Sequence, residues 1–225
     1  MIDRIFWEYL EELPEPEAAW YEWSRRFSEW HRFNSLYTHY LRVEGHRVKL
    51  LNCPSPCEQG YQRQVIENSP SNIVAICPQN KTDPIQLKFR DILIYSIRRE
   101  ALHQAFCTTL KIKFSADRRI EHANVWHLGD YSGTEVYITY RTAPAVFADT
   151  ISSLYLSRQA PFILIVPTMK NITPEIQQFL VRNNSVLFSM ADELTLQTDG
   201  SFKPVHGIPE CMKSFLSTDD TDEHR

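Results

Sequence analysis

The chain has 225 residues, 43% of them hydrophobic and 12% aromatic, with a formal net charge of −4. That is enough apolar material for a real core, and it argues against disorder over most of the length. The mild negative charge gives no global pull toward nucleic acid, and no apolar run approaches the ~20 residues that span a bilayer.

The segment from Met1 to Pro14 is acidic and aromatic, unlike the basic and apolar start of a signal peptide. A cytoplasmic, reducing setting with no membrane partner is the expectation. Pro14-Glu15-Pro16-Glu17 then reads as a helix start, because proline suits a first turn and carboxylates there oppose the positive end of the dipole. Trp20, Trp23, Phe27, Trp30, Tyr37 and Leu41 recur at helical spacing, broken only at Asn34. The spacing predicts one long N-terminal helix from Glu15 to Leu41, ending near Gly45, within a helical segment 1–46.

Arg47 to Leu51 follows as a short strand. Gln62 to Glu67 and Ile73 to Cys77 read as two further strands across an Asn68-Ser69-Pro70-Ser71 turn, with Ile85 to Leu87 returning beside them. Asp91 to Ile97 is rich in isoleucine and reads as buried. Arg99 to Leu110 reads as a helix with Leu102, Ala105, Phe106 and Leu110 on one face. These elements make 47–118 a small β module with a helix.

Residues 119–204 read as an α/β domain, with a boundary near Arg118. Val125 to Leu128 and Glu135 to Tyr140 form a hairpin around Tyr131-Ser132-Gly133. A helix from Pro144 to Ser157, a strand from Pro161 to Pro167, a helix from Pro174 to Asn183 and a strand from Ser185 to Met190 complete a β-α-β-α-β run. That order predicts a right-handed parallel sheet, with Leu194 to Gln197 as an added edge. Residues 205–225 read as a tail that ends in the acidic run Asp219 to Glu223.

The five cysteines are an odd number in a chain without a secretion signal, which argues against a disulfide framework. Cys53-Pro54-Ser55-Pro56-Cys57 places two thiolates at a strand end, where a tight turn can present both to one zinc ion. Cys77-Pro78 stands twenty residues further on, after two strands, which is the layout of a zinc ribbon. No fourth cysteine follows; Asp83 stands near its place, and His46 or His103 are further donors. The expected metal set is therefore Cys53, Cys57, Cys77 and Asp83. In the competing reading the hairpins persist and the cysteines pack as small apolar residues.

Residues 47–97 resemble a module of uncharacterised bacterial proteins, in which a Cys-Pro-x-x-Cys knuckle precedes a hairpin ending in cysteine and then an isoleucine-rich strand and helix. The resemblance implies a bacterial setting among mobile-element or antiviral-defence genes, and no activity. The fold class expected is α/β: a long N-terminal helix, a small zinc-ribbon-like β module and a C-terminal β-α-β-α-β parallel sheet.

Three other groups of residues bear on chemistry. His122 and His127 lie five apart on a strand and so face opposite ways. Asp130 and Glu135 suggest a metal-dependent nuclease, but a restriction-type core needs Glu-x-Lys on the strand, and here Glu135-Val136-Tyr137 has no lysine. Thr142, Thr168 and Ser189 are placed at the carboxyl ends of the parallel strands, where ligands of α/β sheets gather. With six glycines and no glycine-rich loop, nucleotide cofactors of the P-loop or dinucleotide type are disfavoured.

Trp20, Trp23 and Trp30, with Arg25, Arg26 and Arg32 beside them, form either core or a partner-binding face. The stretch from Lys81 to Arg119 is basic. The functional expectation is an interaction or regulatory module binding a protein partner or nucleic acid, without catalysis of its own. The alternative is a metal-dependent nuclease-like enzyme using Asp130 and Glu135.

Overall fold

The computed structural model describes residues 2–12, 17–27, 36, 38–53, 62–79, 83–120 and 124–206. The chain divides into two compact units: a β unit, Leu13–Arg98, and an α/β unit that joins Met1–Glu12 to Arg99–Arg225. The expected boundary near Arg118 instead falls inside a strand of the α/β unit. Among the described residues no helix is long and apolar enough to cross a membrane.

After helix α1 (Ile2–Glu12), the β unit contains β1 (Glu17–Ala19), α2 (Trp20–Arg26), β2 (Leu41–Arg47), β3 (Leu50–Asn52), β4 (Gln62–Ser69), β5 (Asn72–Ile76), β6 (Ile85–Leu87), a 3-10 turn (Phe89–Ile92) and β7 (Leu93–Ile97). One antiparallel sheet has the order β1-β7-β2, and a second has the order β3-β4-β5-β6. Alternation decides what faces inward: Ile73 and Ala75 of β5 are buried, while Asn72 is exposed. They join Ala19, Leu51, Leu87 and Ile92 in one apolar cluster.

The long helix from Glu15 to Leu41 is not what forms. Only Trp20–Arg26 is helical at the start of that stretch, and Phe27 turns out to an extended conformation. Glu17–Ala19 pairs instead with β7, Glu17 opposite Ser96 and Ala19 opposite Ile94. Leu41–Arg47 pairs with the other side of β7, so the expected end near Gly45 is strand. The physical reason is non-local. Strand β7 exposes backbone donors and acceptors on two edges, and these two segments satisfy both. Trp30 and Tyr37 lie outside the described residues.

The α/β unit contains α1, α3 (Arg99–Leu110), β8 (Lys113–Ile120), β9 (Val125–Tyr131), β10 (Thr134–Ile138), α4 (Pro144–Arg158), β11 (Phe162–Val166), α5 (Pro174–Arg182), β12 (Val186–Ser189), α6 (Met190–Glu193), β13 (Leu194–Leu196) and β14 (Phe202–Pro204). Its main sheet has the order β12-β11-β10-β9-β8. The pairs β10·β11 and β11·β12 are parallel, with Glu135 opposite Phe162 and Ile163 opposite Val186. The pairs β8·β9 and β9·β10 are antiparallel. The sheet is thus mixed, not parallel throughout. A tight turn can join β8, β9 and β10, whereas each parallel step needs a crossover helix. Leu194–Leu196 pairs with β14 in a separate two-stranded sheet and adds no edge to the main one.

Every residue of β11 is buried, as a central strand covered on both faces requires. Its Phe162, Leu164 and Val166 pack with Tyr137, Phe147, Ile151, Leu154, Ile172 and Leu180. Pro144 starts α4, and Thr173 caps α5 by accepting a hydrogen bond from the Ile176 amide. Helix α1, at the start of the expected helical segment 1–46, buries Phe6, Trp7 and Leu10. Trp7 meets Phe106 and Phe202 at 5.7 and 5.9 Å.

Candidate functional site

Of the tryptophans that the sequence leaves as either core or a partner-binding face, Trp20 and Trp23 are core residues. Trp20 is 4% exposed and Trp23 fully buried. The Trp23 indole N–H donates to the Tyr95 carbonyl at 3.2 Å, and Arg90 sits 3.7 Å over the Trp20 ring. Helical spacing directs both side chains to one face, and the hydrophobic effect buries that face within the chain. Trp30 lies outside the described residues.

The expected metal donors partly converge. Cys57 lies outside the described residues. Cys53, Cys77 and Asp83 gather around Arg63 of β4. The Arg63 guanidinium donates to the Asp83 carbonyl at 2.6 Å and stands 3.6 Å from its carboxylate. Burial disfavours its charge. A hydrogen bond to Cys53 and the nearby Cys53, Asp83 and Cys77 groups outweigh that, so its pKa is raised. Among the described residues no three His, Cys, Asp or Glu side chains cluster in a way that could hold a metal ion. His103, the more distant candidate donor, belongs to the α/β unit.

Asp130 and Glu135 do come together, as direct partners across β9 and β10. Lys113 of β8 stands opposite Asp130 on the other side. Residues opposite one another in an antiparallel ladder share a face, so one lysine and two carboxylates form a row across three strands. The lysine missing from Glu135-Val136-Tyr137 is therefore supplied by a distant strand. A search along the sequence alone does not find it. Both carboxylates are engaged: Asp130 accepts the Gly133 amide at 3.0 Å, and Glu135 accepts the Tyr137 hydroxyl at 2.5 Å. Arg158 and His127 stand 3.5 and 3.9 Å from Glu135. Burial lowers the pKa of His127, with Glu135 opposing. Burial, and then Glu135, raise that of Tyr137, which keeps it a donor.

Thr142, Thr168 and Ser189 are buried at the carboxyl end of the parallel strands, as expected of that rim. The chain fills the place itself. Glu11 of α1 accepts the Thr168 amide at 3.0 Å and its hydroxyl at 2.9 Å, and Asn171 donates to Thr142 at 3.2 Å. Burial raises the Glu11 pKa above its ordinary 4.5, against hydrogen bonds from Thr168 and Thr142 and the Lys170 charge. A raised carboxylate pKa means the folded state binds the proton more readily than the unfolded chain. Its stabilising contribution is then fully present below the ordinary value and is lost as pH rises through the raised one. Wild type should therefore gain melting temperature relative to Glu11→Gln as pH falls from 7 toward 4.5. An unchanging difference between the two melting curves would rule this out.

A further grouping, which periodicity did not reveal, lies at the opposite end of the β9–β10 hairpin. Arg99 and His103 stand one turn apart on α3. His103 is buried with Nε2 2.9 Å from the Tyr140 hydroxyl, and the two rings stack at 6.0 Å. Trp126, at the start of β9, meets the His103 ring at 6.2 Å and the Tyr140 ring at 5.7 Å. The Arg99 and Arg119 guanidiniums lie 5.1 and 5.6 Å from the Trp126 ring centroid. Arg119 is the ladder partner of Trp126, and Arg118 that of His127. Strand β8 is an edge of the sheet, which leaves Arg118 and Arg119 exposed. The positive end of the α3 dipole adds to these charges.

No protein-family model, curated protein or solved structure matches the chain. The residues therefore carry the functional reading, and the patch around Trp126 is the strongest of the groupings described. It combines exposed arginines with a half-buried tryptophan beside the edge strand β8. Trp20 and Trp23 offer no exposed ring.

Proposed function

We propose that the α/β unit is a nucleic-acid-binding module, without catalysis of its own, that engages the phosphate backbone through Arg99 and Arg119 around Trp126. The observation that carries this reading is the pair of guanidiniums over the Trp126 ring, one from helix α3 and one from the exposed edge strand β8. Guanidinium groups match phosphate oxygens in pairs, and an aromatic plane among them accepts a base by stacking. Basic residues on an edge strand also deter other strands from pairing there. That role accounts for charge on β8 but not for Arg99, which comes to the same tryptophan from a helix.

Binding of a short single-stranded oligonucleotide should weaken steeply with salt, because each neutralised phosphate releases counterions. Arg99→Gln and Arg119→Gln should each weaken binding and flatten the log K against log salt slope by about 1. Absence of binding at low ionic strength, or slopes identical in the variants, would sink the proposal.

The row of Lys113, Asp130 and Glu135 favours a second reading, in which the bound strand is cut with a divalent ion at that row. Trp126 pairs with Ile138 and Asp130 with Glu135, at opposite ends of the β9–β10 hairpin, so the row is separate from the Trp126 patch. Incubation of the same oligonucleotide with magnesium or manganese decides between the two. Cleavage lost in Asp130→Asn and Glu135→Gln would make the module an enzyme; an intact strand leaves it a binder.

A further inference from the structure

The zinc-ribbon layout calls for a cation among Cys53, Cys77 and Asp83, and the structure already places one there. Arg63 belongs to β4, the strand between β3 and β5. Leu51 is its ladder partner on β3, and on the other side Gln64 pairs with Ile76. Continuing each ladder by the alternation of side chains brings Cys53, at the end of β3, and Cys77, at the end of β5, to the face that Arg63 occupies. Asp83 approaches from the segment that leads into β6.

We infer that Arg63 is the resident cation among Cys53, Cys77 and Asp83: its guanidinium stands among the donors a ribbon would offer to zinc, and it keeps the wild-type module metal-free.

Three observations support this. The arginine is 4% exposed, which is unusual for a charged side chain unless its surroundings compensate it. Those surroundings are the candidate metal donors themselves: a thiol at Cys53, a second at Cys77, and the carboxylate and carbonyl of Asp83. A guanidinium carries five donors in a planar fork, so one group can serve a sulfur, a carbonyl and a carboxylate at once. A zinc ion among the same donors would face a buried like charge and would compete for every one of them. The described donors, Cys53, Cys77 and Asp83, therefore do not fit zinc as folded. They are held by a charge supplied from within the chain.

This inference concerns the β unit and is independent of the nucleic-acid reading. It is tested on the full chain purified without chelator from zinc-supplemented medium. Wild type should carry well under about a tenth of an equivalent of zinc, and its melting temperature should not change with chelator. Arg63→Ala removes the internal cation and should take up about one equivalent of cobalt(II), with a thiolate-to-metal absorption band. Arg63→Lys keeps a cation and should fold metal-free. Wild type with near-stoichiometric zinc, or with a melting temperature lowered by chelation, overturns the inference. So does a folded Arg63→Ala that takes up no cobalt. If Arg63→Ala does not fold, the zinc content of wild type and of Arg63→Lys decides: two metal-free proteins support the inference, and zinc in either refutes it.

Discussion

Trp23→Ala is expected to destabilise the isolated protein by roughly 3–5 kcal/mol, the usual range for truncating a large buried aromatic. Trp23 is fully buried and its indole N–H satisfies the Tyr95 carbonyl on β7. The substitution therefore opens a cavity and also removes a donor from a buried acceptor. Strand β7 is the centre of the β1-β7-β2 sheet, so the loss falls on the element that holds two others in place. Urea denaturation should show a lower midpoint at an unchanged slope. A change under about 1 kcal/mol, a value typical of surface positions, would instead mean that Trp23 awaits a partner, the other of the two readings open to the helical stripe. The same residue thus separates a core role from an interface role.

Gly129→Ala should be equally disruptive, through the backbone. Gly129 has φ +148°, and a Cβ there would lie 2.1 Å from the Lys113 carbonyl oxygen and 2.9 Å from its carbon. Both atoms belong to the β8 backbone, which has no rotamer to change. The cost should be roughly 2–6 kcal/mol, from ~1–3 for a backbone position that favours glycine and ~1–3 or more for the overlap. Gly45→Ala is the control: φ is +76° with nothing within 4 Å of the added carbon, so only the left-handed penalty of about 1–2 kcal/mol applies. Comparable losses in the two variants would contradict the close approach of β8 to β9. Gly129 has a second consequence. It sits where the β9–β10 register shifts, between Val136 and Tyr137, and it precedes Asp130. A change there should also disturb the row of Lys113, Asp130 and Glu135, visible as loss of whatever metal-dependent cleavage the wild type shows.

The elements legible in the sequence share one property: their signal is local. Arg99–Leu110 is a helix over the span its spacing predicts, and Phe162–Val166 is a fully buried strand as its unbroken apolar run implies. The hairpin around Tyr131-Ser132-Gly133 was readable from its turn residues, with Gly133 at φ +82°. Strand β8 was not readable. Lys113–Ile120 carries charged residues that resemble a loop, and only its pairing with β9 makes it a strand. The candidate site suffered in the same way. Trp126, Arg99 and Arg119 lie on three different elements, and no periodicity joins them.

The sequence by itself determined the helices that start at Arg99, Pro144 and Pro174, the hairpin turn at Ser132-Gly133, which run is the buried strand and which residues are apolar enough to form a core. Those follow from side-chain spacing within a dozen residues. Tertiary structure alone decided that Glu17–Ala19 is a strand within a helical pattern, because β7 offers an edge to pair with. It decided that Lys113 meets Asp130 and Glu135, because register across a sheet is set by distant backbone hydrogen bonds. It also decided that Arg63 meets Cys53, Cys77 and Asp83, because a buried guanidinium is stable only where compensating groups from several segments surround it.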